Sequence, residues 1–248
     1  MEQADGYGWT AAYAESPKQV YAVSFVYTND LREYSLYTAD IASHDQVKHI
    51  DLPREYKGEK LSNMKICGIS PRGLYVFFSV YDWWYNPVGV VYLVPHNGGK
   101  DEIIAAGGGF ASPWYNAEGN SLLYFRRDEP EAPWRLEAMR LDTGKRSVVF
   151  NDGIRPNGTS DVWHNLRDGS VALERFDDDS HEGPCLRFDA DNKAQEREYT
   201  HNDLNYAWVK PPLNDKYRAY TTCGGWLYYV VEGESWNRHF YRMKPDGT

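Results

Sequence analysis

Apolar and polar positions alternate along this chain in short bursts, without the three-to-four-residue spacing of an amphipathic helix. Four segments share one layout: YAESPKQVYAVSF, GISPRGLYVFFSV, WYNAEGNSLLYF and WHNLRDGSVALERF. In each, a short apolar strand meets a small polar residue (Ser16, Ser70, Asn116, Asn165), and a tight turn leads into a second apolar strand. Gly73, Gly119 and Gly169 supply the turn glycine in three of the four. A fifth copy, WVKPPLNDKYRAY, carries Pro212 at the equivalent place, and successive anchors lie 54, 46, 49 and 47 residues apart.

Each unit continues in the same way. A third strand follows (YSLYTAD, VVYLVPH, RLEAMRLD, CLRFDA, HFYRMKPD), then a hairpin turn rich in Asp, Asn and Gly, at Asp142–Lys145, His96–Lys100, Asp189–Lys193 and Pro245–Thr248. Such residues belong in hairpin turns because they accept positive φ or bond their own backbone. A fourth strand closes the first four units: QVKHIDL, DEIIAA, RSVVFND and AQEREYT. The fifth unit stops at PDGT and aligns in two ways, because Gly225-Trp226 is a second candidate for its first turn, with YRAYTT as the inner strand. The one stretch with a helical reading is Arg54–Asn63. Repeated four-strand units at this period predict an all-β chain folded as a β-propeller of about five blades, the last lacking its outer strand. The expected organisation is a single domain over 1–248, with blades near 9–52, 64–106, 111–152, 160–200 and 205–248.

The turn Ser70-Pro71-Arg72-Gly73 before an apolar strand, the third-strand pattern and the D-x-G-x hairpins resemble the TolB-type propeller repeat. That repeat also occurs in propeller domains of prolyl-oligopeptidase-like enzymes, and the closing WLYYVVEGESWNRHFYRMKPDGT is similar to related repeats. The segments Asn116-Ala117-Glu118-Gly119 and Asn165–Gly169 lack the proline and are diverged copies. The resemblance implies a disc for protein or peptide contacts around a central channel, with no chemistry of its own.

Composition narrows the function. The formal charge of −9 disfavours a phosphate-backbone partner, which needs a basic footprint, so no nucleic acid is expected. Cys67, Cys185 and Cys223 are too few and too far apart for a disulfide framework or a CxxC zinc site. No apolar run reaches the ~20 residues of a membrane helix, and no insertion is expected. The N-terminus shows no signal peptide, so the sequence as it stands reads as cytoplasmic, or as periplasmic or secreted if a leader has been removed. There is no GxSxG nucleophile turn and no phosphate loop, since the Gly107–Gly109 run has no accompanying lysine. The seven histidines are scattered, and the oxygen-rich Asp189–Asn192 segment occupies a hairpin turn where such residues are expected anyway. Hence no catalytic residue, metal site or cofactor is assigned.

The repeat supplies a scaffold for a functional reading. Loops joining second to third strands emerge on one face of a propeller, and here they are 27–34, 81–89, 126–134, 176–184 and 231–237. These 42 residues hold 12 of the 36 acids and four of the nine tryptophans, Trp83, Trp84, Trp134 and Trp236, with Tyr85 beside the first pair. Grouped aromatics at a surface mark contact sites. The candidate partner-binding residues are therefore Asp82, Trp83, Trp84, Tyr85, Asp128, Glu129, Glu131, Trp134, Asp177, Asp178, Asp179, Glu182, Glu232, Glu234 and Trp236. An acidic, aromatic face suits a basic protein or peptide, in a non-enzymatic role that includes an inhibitor or immunity-type function. A carbohydrate-binding or glycan-active propeller, and a propeller module of a larger protein, are the alternatives.

Overall fold

A computed structural model of the chain describes residues 7–14, 19–28, 31–40, 47–80, 88–96, 99–151, 163–165, 170–173, 185–197, 217–223, 226–232 and 238–243. Among the described residues there are strands and turns and no helix. The chain divides into two compact units, 1–52 with 205–248, and 53–204.

In the first unit, β1 (Tyr7–Ala14), β2 (Gln19–Thr28), β3 (Leu31–Asp40) and β4 (Val47–Ile50) form one antiparallel sheet in chain order. Most of segment 27–34 is paired strand, with Thr28 opposite Leu31 and Tyr27 opposite Arg32. It is not the long loop that its polarity suggested, because the alternation of strand positions continues on both sides of Asn29-Asp30. The same unit holds a three-stranded sheet of β18 (Tyr217–Cys223), β19 (Trp226–Glu232) and β20 (Arg238–Met243). Cys223 pairs with Trp226 across the turn, so YRAYTT is the first strand and the Gly225-Trp226 alignment holds. The competing anchor at Pro212 lies outside the described residues. Strand β1 lies beside β18.

The second unit contains three sheets in succession. The first comprises β5 (Glu55–Tyr56), β6 (Glu59–Ser70), β7 (Gly73–Val80), β8 (Val88–Pro95) and β9 (Glu102–Gly108). The next comprises β10 (Phe110–Asn116), β11 (Ser121–Arg126), β12 (Arg135–Arg140) and β13 (Arg146–Phe150). The last comprises β14 (Trp163–Asn165), β15 (Val171–Leu173), β16 (Cys185–Phe188) and β17 (Ala194–Arg197). Every pairing is antiparallel between consecutive strands.

The helical reading of Arg54–Asn63 is wrong. Glu55 pairs with Lys60 and Tyr56 with Glu59, closing a two-residue turn at Lys57 (φ 52°) and Gly58 (φ 83°). Two consecutive positive φ values define a type I′ hairpin turn, which a Lys-Gly pair makes and a helix cannot.

Side-chain alternation explains why the middle sheet reads as an unbroken apolar run. Leu122 and Tyr124 of β11 point into one cluster with Cys67, Tyr75, Phe77, Phe110 and Met139, between the first and middle sheets. Leu123 and Phe125 point into another with Leu136, Trp163, Leu173, Leu186 and Phe188, between the middle and last sheets. A strand covered on both faces has no polar position to spare. Ring pairs cross both seams, Tyr75 with Tyr115 at 4.7 Å and Trp114 stacked on Trp163 at 6.4 Å. Cys67 is sealed within the first seam, its thiol donating to the Tyr75 carbonyl at 3.1 Å, and burial pushes its pKa up to about 12.

Candidate functional site

Of the acidic and aromatic residues expected at a partner face, Asp128, Glu129, Glu131 and Trp134 fall in one described loop, 127–134, between β11 and β12. The register of these strands sets the site. Arg126 stands opposite Arg135, and Tyr124 opposite Glu137. Two cations directly opposite each other repel, and Asp128 sits between them. Its carboxylate accepts two bonds from the Arg135 guanidinium, at 2.7 and 3.0 Å, while the Arg126 Nε is 4.0 Å from Oδ1. Arg135 also donates from Nε to Glu137 at 2.7 Å, and the Tyr124 hydroxyl donates to the other Glu137 oxygen at 3.0 Å.

This is a ladder of alternating charge running from the core to solvent. Glu137 and Tyr124 are buried, Arg135 is partly covered and Asp128 is exposed. The Arg135 hydrogen bonds hold the Asp128 carboxyl below the usual carboxylate range. Asp128 and Glu137 in turn raise the pKa of Arg135, and burial, reinforced by Glu137, raises that of Tyr124.

The loop itself is pinned at several points. The Arg127 amide donates to the Gly109 carbonyl at 2.9 Å, tying the loop to the connection between the first and middle sheets of this unit. Gly109 has φ 61°, and a Cβ there would collide with the Arg127 carbonyl, so only glycine fits. Within the loop, the Ala132 amide donates to Glu129 at 3.0 Å. The Arg127 guanidinium donates to the Pro130 carbonyl and lies over the Trp134 ring, 4.6 Å from its centroid. Trp134 is half-buried against the cluster between the middle and last sheets. Glu129 and Glu131 are exposed.

The loop thus differs from a plain acidic patch. Three acids (Asp128, Glu129, Glu131) stand among three arginines (Arg126, Arg127, Arg135), and Asp128 is already engaged. The arginine and glutamate partners escaped the sequence reading because Arg135 and Glu137 lie in the third strand. Only the register shows that they face Arg126 and Tyr124.

Other expected face residues, Asp82, Trp83, Trp84, Tyr85, Asp177, Asp178, Asp179, Glu182, Glu234 and Trp236, lie outside the described residues. Glu232 ends β19, opposite Arg238, in the other unit. His164 is on β14, and His201 lies outside the described residues. Among the described residues no group of three His, Cys, Asp or Glu gathers to hold a metal. The Asp189 carboxylate instead closes its own turn, accepting from the Asp191 and Lys193 amides at 2.9 Å each.

No protein-family model matches the chain, and no curated protein gives a significant match. Several solved structures are similar in backbone. TolB from Acinetobacter baumannii is 12% identical at TM-score 0.42, covering 97% of this chain and 67% of that one. An oligogalacturonate lyase from Vibrio parahaemolyticus is 10% identical at TM-score 0.49, covering 98% of this chain and 66% of that one. The β-propeller domain of the Trilobed protease from Pyrococcus furiosus, whose topology is an open velcro, is 11% identical at TM-score 0.46, over 95% and 81%. The chain therefore spans about two thirds of the first two proteins' length.

Proposed function

We propose that the chain is a non-enzymatic binding module, a propeller of about five four-stranded blades with the last lacking its outer strand, whose loop face engages a basic protein or peptide. Five successive sheets of consecutive antiparallel strands support the blade reading, and so does β1 lying beside β18. The observation that carries the binding reading is the build of loop 127–134. Hydrogen bonds and an arginine–indole contact fix its backbone, yet Glu129 and Glu131 extend into solvent. Pre-organised carboxylates beside an aromatic shelf bind cations with little ordering cost. Two further clusters, Trp83-Trp84 and Asp177–Asp179, belong to equivalent loops of the repeat.

The test is surface plasmon resonance against a panel of cationic proteins and lysine-rich peptides. Glu129→Gln with Glu131→Gln, Trp83→Ala with Trp84→Ala, and Asp177–Asp179 all changed to Asn are compared with the parent. We expect each set to weaken capture by about tenfold or more, as loss of anchor contacts does. Parent-like affinity in all three sets removes the face from consideration.

A further inference from the structure

Arg126 sits at the end of β11 where the first and middle sheets of the second unit meet, and its side chain is only 23% exposed. Its guanidinium lies along the glycine run that ends β9. A Cβ on Gly107 would come within 3.0 Å of Nη1, so the missing side chain is what makes room for it. The Arg126 guanidinium donates no hydrogen bond among the described residues, and its one ion pair there is the 4.0 Å approach of Nε to Asp128. Asp128 has both oxygens committed to Arg135. A guanidinium held by packing with its outer nitrogens unclaimed is a cation awaiting an acceptor, and its planar fork matches a carboxylate.

We propose that Arg126 anchors a carboxylate subsite on the loop face, taking an Asp or Glu side chain or a terminal carboxylate of a polypeptide partner. The proposal rests on the reading of loop 127–134 as a contact face and adds to it. The partner segment would place cationic side chains at Glu129 and Glu131 and a carboxylate at Arg126. Two facts favour a monoanion over a phosphate. Asp128 stands 4.0 Å away, and the chain carries a formal charge of −9, so a dianion meets stronger repulsion. Gly107 sets no side chain against the guanidinium and so leaves room there for a planar group.

The experiment is a ¹⁵N-edited NMR titration of the arginine Nε–H signals at pH 7 and fixed ionic strength. Sodium acetate is the probe, and sodium chloride and sodium phosphate are the comparisons. The Arg126 signal, assigned by its loss in Arg126→Lys, should shift saturably with acetate and stay still with chloride. Asp128→Asn should tighten acetate binding by about threefold or more, because the competing charge is gone. Arg126→Gln should abolish a second acetate-sensitive readout, the backbone amide shifts of Gly107 and Gly108. Equal, unsaturable shifts with acetate and chloride overturn the proposal, as does weaker acetate binding in Asp128→Asn. If Arg126→Gln fails to fold, the Asp128→Asn arm still decides. Acetyl-Lys-Ala-Asp-amide and acetyl-Lys-Ala-Ala with a free carboxyl end then distinguish a side-chain source from a terminal one. Failure with acetate alongside Glu129- and Glu131-dependent capture of cationic proteins sinks the subsite alone. The converse result sinks the contact-face reading and leaves the subsite standing.

Discussion

Asn116 shows how one small polar residue at a strand end joins two sheets. Its side-chain amide donates to the Asp189 carbonyl at 2.9 Å and to the Asn192 side chain at 3.0 Å, while its own oxygen accepts from the Gly119 amide. Asn192, held at φ 60°, passes the chain on to the Ser121 hydroxyl at 3.0 Å. Both asparagines are buried, so deleting either strands the other's polar atoms. Asn116→Ala and Asn192→Ala should each cost about 1–3 kcal/mol in urea denaturation, and the double variant clearly less than the sum. Strict additivity would show that the two residues do not act as a unit. Charged residues follow the same local logic with opposite signs. Burial raises the Asp101 pKa, so its favourable contribution exists below the ordinary carboxylate value and is lost as pH rises through the raised one. Asp128 is the reverse case, since hydrogen bonds from Arg135 lower its pKa and its contribution is present at neutral pH and lost on acidification through the lowered value. Asp101→Asn should therefore stabilise the protein at pH 7, and Asp128→Asn should destabilise it. The Asp101 effect should be gone once the pH lies below the ordinary carboxylate value, whereas the Asp128 effect should persist until the pH falls through its lowered value. Urea midpoints at pH 7 and pH 3 check this, and shifts of the same sign at pH 7 would contradict the assignment.

The hairpin of β11 and β12 gains its usefulness from what holds its loop. Gly109, in the neighbouring connection, receives the Arg127 amide and leaves no room for a side chain. Gly109→Ala combines a strained φ with overpacking, and should lower stability by about 1–3 kcal/mol. It should also quench the fluorescence difference between parent and Trp134→Phe, because the loop that places Trp134 against Arg127 loses its tether. Parent-like stability would mean that the connection yields without cost. Elements of this kind were largely legible in the sequence. Short apolar runs such as SLLYF and turns such as Asp142–Lys145 announce themselves, and the Gly144 turn closes as its residues require, with its amide donating to Arg140 at 2.8 Å. The β5–β6 hairpin was missed because Arg54–Asn63 is mostly polar, with only Tyr56 and Leu61 to break it, and lacks alternation. Its one clue was the Lys57-Gly58 pair. The charge ladder was illegible for a different reason. Whether Arg135 serves Asp128 and Glu137 depends on register and on which sheet face is covered, and neither is written in local spacing.

At the scale of the whole chain, sequence distance and structural proximity part company. Residues 1–52 and 205–248 form one compact unit, so that unit requires the two ends of the chain to meet. Non-local strand pairing of that sort slows folding relative to local helical contacts. Charge is also a whole-chain property here. Loop 127–134 with its flanking arginines is balanced, three acids against three arginines, whereas the chain as a whole carries −9. Any long-range attraction for a basic partner must then come from the molecule's total field and not from this loop. The two contributions separate kinetically. Raising salt from about 20 to 200 mM should cut the association rate with a cationic protein by roughly tenfold or more, since screening acts on encounter. Glu129→Gln with Glu131→Gln changes the net charge only from −9 to −7, so its effect on association should be small beside that of salt. Trp134→Ala removes a half-buried anchor without touching charge, and should act on dissociation instead. Stopped-flow association and surface plasmon resonance dissociation measure the two rates independently. A salt-insensitive association rate would mean that the acidic balance of the chain serves solubility and plays no part in finding a partner.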